Sequence, residues 1–302
     1  MKKVQVLLST YNGSKYLRPL LDSLLNQDYA NLEILIRDDG STDDTPGVLE
    51  EYLHVENVRV LREKNIGVAK SFFRLLSLSS HDADYLAFCD QDDIWESDKI
   101  SRAVDMLSSY HNKEPALYFS RLKIVDEDLS FVKLSEMPQG EPSFRNALVQ
   151  NIATGCTIVI NAKARDLIVK NLPSSALWHD WWAYLVVSAF GKVVFDEEAK
   201  ILYRQHSSNA VGSKVGFLNS WAARAQRFTK TGHRLLITKQ AEEFNRIFSS
   251  CLDKENYKVL KRFILERKTL WGRIKYAVSP DVYRQTRLDN IVLRLLIAFN
   301  RL

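Results

Sequence analysis

The chain has 302 residues, 46% hydrophobic and 26% charged, with 11 Gly and 7 Pro, which excludes a disordered chain, a collagen-like repeat and a disulfide-stapled miniprotein. Its net charge of +5 hides an uneven distribution. From Tyr203 to Leu302 there are 20 Lys and Arg against 7 Asp and Glu, whereas residues 1–202 carry 22 basic and 30 acidic side chains, so the front is expected to meet cations and the rear an anionic surface.

In chain order, the apolar run Val4–Leu8 predicts a strand that ends in the polar turn Ser9–Gly13. Tyr16, Leu17, Leu20, Leu21, Leu24 and Leu25 recur at helical spacing, which predicts the first helix. Leu32–Ile36 predicts a second strand, closed by Asp38, Asp39 and Gly40. Ser41 with Asp44 three residues on, and Pro46 in the first turn, predicts a helix start. A third strand is expected at Val58–Leu61, a helix at Gly67–Leu78, and a fourth strand at Tyr85–Cys89, broken by Asp90-Gln91-Asp92-Asp93. Ser97 is expected to cap a helix whose buried face carries Ile100, Val104 and Leu107. The middle, about 114–205, is less regular; Ala116–Ser120 and Cys156–Ile160 read as strands, and Trp178–Ala189 as a helix. Beyond about residue 213 the pattern becomes one of basic amphipathic helices with interleaved aromatics.

Strands alternating with helices predict βαβ units and a mostly parallel sheet covered on both faces. Ligands of such sheets bind beyond the carboxyl ends of the strands, where three polar clusters fall: Ser9–Gly13, Asp38–Ser41 and Asp90–Asp93. Three carboxylates within four residues repel one another unless a cation lies between them. Hard oxygen ligands suit Mg²⁺ or Mn²⁺ shared with a substrate phosphate. Asp38 and Asp39 read either as a turn or as acceptors for a base N–H or a ribose hydroxyl, and Tyr11, beside Thr10 and Asn12, as a loop residue or a stacking platform.

Together the segments STYNGSKYLRPLLDSLLNQ, IRDDGSTDDT, Asn65-Ile66-Gly67 and FCDQDDIWESDKI resemble the inverting glycosyltransferases of family 2, over about residues 3–210. The resemblance implies a GT-A fold, α/β and Rossmann-like, with a mixed, mostly parallel sheet flanked by helices. The catalytic domain would span 1–212, with a nucleotide-sugar half to about 113 and an acceptor half at 114–212, before a basic helical region at 213–302. It also implies that Thr10, Tyr11, Asn12 and Asp39 hold the nucleoside. Asp90 and Asp92 would bind the divalent metal and donor diphosphate, Asp92 as the more direct ligand; Asp93 is left between capping the next helix and supporting the metal ligands.

An inverting transfer needs a base opposite the leaving diphosphate. Asp180, in Trp178-His179-Asp180-Trp181-Trp182, lies where the family places it, and flanking aromatics would desolvate it; His179 is given no chemistry. Tyr203–Asn209 resembles the segment that closes over the donor, with Arg204 set to neutralise the leaving group and His206 either structural or a ligand of metal or diphosphate. Gly155-Cys156-Thr157 resembles the loop before the acceptor-side strand, and Cys156 is not expected to be a nucleophile. FCDQDDIW with the later HDWW resembles bacterial rhamnosyltransferases of capsule, O-antigen or cell-wall polysaccharide. That implies dTDP-L-rhamnose as donor, with a UDP-hexose as alternative, and an acceptor on polyprenyl diphosphate. A sugar-nucleotide pyrophosphorylase and a non-catalytic assembly subunit stand as further alternatives.

Three cysteines without a CxxC or CxxH pair favour a reducing compartment over disulfides or zinc. No signal peptide and no spanning segment is expected, which points to the cytoplasm, with the inner face of the membrane as a peripheral station. Arg287, Arg294 and Arg301, seven apart, would share one helix face, with Ile291, Leu295, Ala298 and Leu302 on another. With Trp221, Phe228, Trp271 and Tyr276 as anchors this suits an anionic membrane surface; packing on the catalytic core is the plainer alternative, and no nucleic-acid partner is expected.

Overall fold

The computed structural model describes residues 1–111, 113–206 and 236–302. Two compact units divide the chain. The first takes 1–137, 152–172 and 178–204; the second takes 138–151, 173–177 and 205–302. The expected boundary at 212/213, the residues Ser207–Asn209, and Trp221 and Phe228 lie outside the described residues.

The first unit is built on one sheet in the order β3-β2-β1-β4-β8-β6-β9-β5, with β7 paired to β6. Its leading half is wholly parallel: β1 (Val4–Thr10) lies between β2 (Leu32–Asp38) and β4 (Tyr85–Cys89), and β3 (Val58–Arg62) flanks β2. Register aligns Thr10 with Asp38, Asp38 with Arg62, and Leu8 with Cys89, so the turns that follow share one rim. β4 is buried along its whole length, as a strand covered on both faces must be. Helices α1 (Ser14–Leu25), α2 (Thr45–Glu50), α3 (Val68–Leu78) and α4 (Lys99–Leu107) supply the connections.

The second half of the sheet changes direction. β8 (Val159–Asn161) runs antiparallel between β4 and β6 (Ala116–Val125), and β9 (Lys192–Arg204) returns parallel to β6. β5 (Ile94–Trp95) pairs antiparallel with the end of β9, and β7 (Phe131–Leu134) with β6. Asp196 of β9, 2% exposed, takes both ends of the Arg102 guanidinium and the Tyr118 hydroxyl, which ties α4, β6 and β9 together.

Several local expectations are corrected. Ser41 does not cap α2; its hydroxyl donates to Asp38, and the helix begins at Thr45. Ser97 does not cap α4, which starts at Lys99 without a side-chain cap. Cys156 is not in a strand: Gly155–Thr157 forms one 3₁₀ turn. β9 went unrecognised because register shifts against β6 around Arg121 break the alternation by which a strand is read. In the first unit the remaining helices are α6 (Ala162–Lys170) and α7 (His179–Phe190); α5 (Phe144–Ala147) belongs to the second.

Among the described residues the second unit continues with the helices α8 (Leu236–Phe248), α9 (Lys254–Leu265), α10 (Leu270–Val278) and α11 (Arg287–Ala298). Ser143, Asp253, Thr269 and Thr286 each cap the helix that follows with a side-chain oxygen. Phe244 and Phe248 pack on one another, and Arg262 pairs with Asp281 and Glu266. α11 ends at Ala298, with Asn300 at φ 54° and the Arg301 amide donating to the Leu296 carbonyl, a left-handed helix stop. Arg301 therefore leaves the face expected for it with Arg287 and Arg294, and Leu302 is buried.

Candidate active site

The acidic turn forms where β4 runs out of sheet. Asp90 is half-buried. Burial, then the facing charges of Asp92 and Asp180, push its carboxyl up to about 7. Asp93 is fully buried: Oδ1 accepts the Arg204 amide at 3.2 Å, Oδ2 has no hydrogen-bond partner, and burial beside Asp92 and Asp90 drives its pKa well up. It caps no helix. Ligand atoms of Asp90, Asp93 and Cys156 lie within 4.8 Å of one another. Beneath them Lys99 is wholly buried, its Nζ 3.3 Å from the Trp95 ring centroid, and burial lowers its pKa to about 8.

Asp180 reaches the same place from a different element. It sits in the first turn of α7, half-buried, with Oδ1 accepting the Trp181 amide at 2.7 Å. A β-carbon on Gly155 would stand 3.3 Å from His179 Nε2 and 3.4 Å from Asp180 Cβ, so the start of α7 closes onto the 155–157 turn that carries Cys156. The charge felt by Asp90 and this contact independently bring Asp180 to the acidic turn. His179 is 5% exposed and stacked on Phe72 at 3.7 Å; neither ring nitrogen has a hydrogen-bond partner, and burial lowers its pKa to about 3. It is a neutral packing residue.

The other side of the rim is held by side-chain-to-backbone bonds. Gln91 Oε1 accepts both Thr10 Oγ1 and the Tyr11 amide at 2.8 Å, and Gln91 Nε2 donates to the Tyr11 carbonyl at 3.1 Å. A β-carbon on Gly13 would come within 2.3 Å of Gln91 Oε1. Asn12, at φ 50°, accepts the Thr42 amide on Oδ1 and donates its own amide to Ser41. Thr10 is thus buried and Tyr11 displayed, at 46% exposure.

Asp39 is 2% exposed. Its oxygens accept the amides of Ile66 at 2.8 Å and Gly67 at 2.9 Å, and pair with Arg37. Arg37 also reaches Glu63 and Ser71 at 2.9 Å, and Glu63, between Arg74 and Arg37, is held at about 2. Gly67, at φ 85°, makes the turn a side chain would strain. Arg204 is 5% exposed; its guanidinium donates to the carbonyls of Asp92 and Glu127 and lies 4.8 Å from the Tyr16 ring centroid. It props the acidic turn from behind. His206 is half-buried and belongs to the second unit.

Thus Asp90, Asp92, Asp93 and Asp180 converge, and Thr10–Asn12 and Asp39 line the leading strand ends. Sequence reading passed over Gln91, Arg37 and Lys99; at Gly155 it expected a small residue to leave room for a sugar, and the structure sets that position against His179 and Asp180. Lys99 did leave a signal: it shares the i, i+4, i+8 row of α4 with buried Ala103 and Leu107, where a cation is out of place.

An acidic turn and a separate carboxylate converge at the strand ends of this sheet, and the comparisons give the family. Residues 5–163, more than half of the chain, match Glycosyl transferase family 2, and the chain belongs to that family and is a glycosyltransferase. It is 32% identical over 228 residues to the dTDP-rhamnosyl transferase RfbG of Shigella flexneri, covering 70% of this chain and 75% of that one. An uncharacterized glycosyltransferase of Rickettsia typhi is 26% identical over 93% of this chain and 90% of its own. S. aureus TarS 1–349 in complex with UDP-GlcNAc superimposes with a TM-score of 0.59 at 16% identity, over 98% of this chain and 90% of the other. The mannosyltransferase PcManGT of Pyrobaculum calidifontis, with GDP-Man and Mn²⁺, gives 0.55 at 15% identity, over 98% and 86%. These two establish the GT-A-like fold.

Proposed function

We propose that the chain is a metal-dependent inverting glycosyltransferase that moves L-rhamnose from dTDP-L-rhamnose to a saccharide acceptor, in assembly of a bacterial surface polysaccharide. The observation that carries the mechanism is the approach of Asp180 to the acidic turn, its Cβ set against the 155–157 turn whose Cys156 lies beside Asp90 and Asp93. The donor assignment is supported by the relative named for dTDP-rhamnose at 32% identity; a UDP-hexose is favoured only by a fold-level likeness to a protein holding UDP-GlcNAc.

The residues fit a divalent cation. Asp90 is held near 7 by burial and two facing carboxylates, and Asp93 Oδ2 is an orphaned buried oxygen; positive charge relieves such crowding. Asp90 and Asp92 would hold Mg²⁺ or Mn²⁺, which supplies neutralisation of the donor diphosphate. Asp93, buried behind them, fixes β9 through the Arg204 amide, and Arg204 fixes the Asp92 carbonyl. Tyr11 offers an exposed ring to the base, while Thr10, Asn12 and Asp39 shape the nucleoside end. Asp180 accepts the proton of the acceptor hydroxyl as that oxygen bonds to the anomeric carbon. The bond to the diphosphate breaks on the opposite face, and its electron pair leaves with the diphosphate. The acceptor is placed on polyprenyl diphosphate at an anionic membrane surface.

Asp180→Asn keeps the shape and removes the base. Transfer is expected to fall by about 10²–10⁴, with donor affinity, read by calorimetry in the presence of Mn²⁺, changed less than about threefold. Transfer near the wild-type rate would remove Asp180 from the mechanism.

A further inference from the structure

The C-terminal helices show two apolar faces where a water-facing helix needs one. On α11, Leu293 and Ile297 are buried, yet Leu288, Ile291, Leu295 and Phe299 are 58, 56, 53 and 72% exposed. At about 100° per residue these four fall within an arc of about 80° on the side away from Leu293 and Ile297. α10, joined to α11 by the Arg273–Ala298 hydrogen bond, exposes Trp271 at 80% and Val278 at 69% while burying Tyr276. Residues 265–302 carry nine of the 22 exposed large hydrophobic side chains among the described residues, so the apolar surface is concentrated rather than scattered.

We propose that α10 and α11 form a docking face for an anionic lipid surface, lying in the headgroup region with Trp271 and Phe299 as anchors. This deepens the placement of the acceptor on a membrane. Charge selects the occupant. Residues 268–302 hold seven Lys and Arg against two Asp, and Lys268, Lys275, Arg287 and Arg294 are exposed beside the apolar stripes. A second copy would bring the same cations against themselves, whereas anionic headgroups pair with them as the apolar side chains insert. The helices lie on the surface rather than cross it: α11 has 12 residues, about 18 Å of rise, and among the described residues no helix is long and apolar enough to span.

The test uses the full chain, wild type and Ile291→Ser/Phe299→Ser, in flotation with phosphatidylglycerol–phosphatidylcholine vesicles and with pure phosphatidylcholine. Both changed side chains are exposed, so circular dichroism should be unaltered. Wild type is expected to float with the anionic vesicles at low salt at least tenfold better than with phosphatidylcholine, and the double variant to lose at least tenfold of that binding. Binding of dTDP-L-rhamnose without vesicles should match in the two proteins; its absence from both would count against the proposed donor and leave the docking face standing. Failure of the wild type to float, equal flotation of the variant, or a dimer in light scattering that the same substitutions dissociate would overturn the proposal, the last by assigning the face to a second copy.

Discussion

The strand-end rim of the first unit and the last two helices of the second are built on opposite terms. At the rim, polar groups are buried and spent on holding one another: Asp39 with Arg37, Thr10 with Gln91, Asp93 with the Arg204 amide. Along α10 and α11, Trp271, Val278, Ile291, Leu295 and Phe299 are left in water. Buried polar bonding has strict directions, so it fixes loops to a shape. Exposed apolar surface has no direction and suits a partner that is itself fluid. The contrast teaches that a site for one ligand and a face for a surface leave different signatures.

Three measurements would break or sharpen it. The largest effect is expected at Arg37, 1% exposed between Asp39 and Glu63. Arg37→Met strands a buried carboxylate, and a loss of about 3–5 kcal/mol is expected in denaturant unfolding; a loss below about 1 kcal/mol would mean that the rim is not held by this network.

His179 gives an intermediate, pH-dependent effect. Its folded pKa of about 3 lies below the usual 6.5, so the unfolded chain takes a proton as pH falls through 6.5 and the folded chain does not. Stability should therefore fall between pH 6.5 and 3, by at most about 1.4 kcal/mol per pH unit. His179→Phe keeps a ring against Phe72 and abolishes that share, so its stability relative to wild type should rise as pH is lowered, the Asp90 contribution being common to both. A constant difference across that range would show the imidazole to be reached by water.

The smallest effect is expected from Ile291→Ser and Phe299→Ser. At 56 and 72% exposure each should move thermal stability by no more than about 0.5 kcal/mol. A loss above about 2 kcal/mol would mean that the face is packed, and the contrast with the rim would vanish.

The sequence by itself carried the leading four strands, the helices between them and the acidic turn, because each follows from local spacing: an apolar run, a turn residue, a helical stripe. It also carried Asp180, through a motif. Tertiary structure decided what spacing cannot encode. β9 became visible only by its pairing with β6, since a bulged strand loses its period. Asp39, Arg204 and Asp93 proved buried, and Gln91 and Lys99 emerged as parts of the site; Asp39, Gln91, Asp93 and Arg204 make hydrogen bonds to residues from 27 to 112 positions away, as in Asp39 with Ile66 or Arg204 with Asp92. That α11 carries a second apolar face was written in its sequence; which of its two faces stayed in water was settled only by packing, since one helix cannot say which side its neighbours will cover.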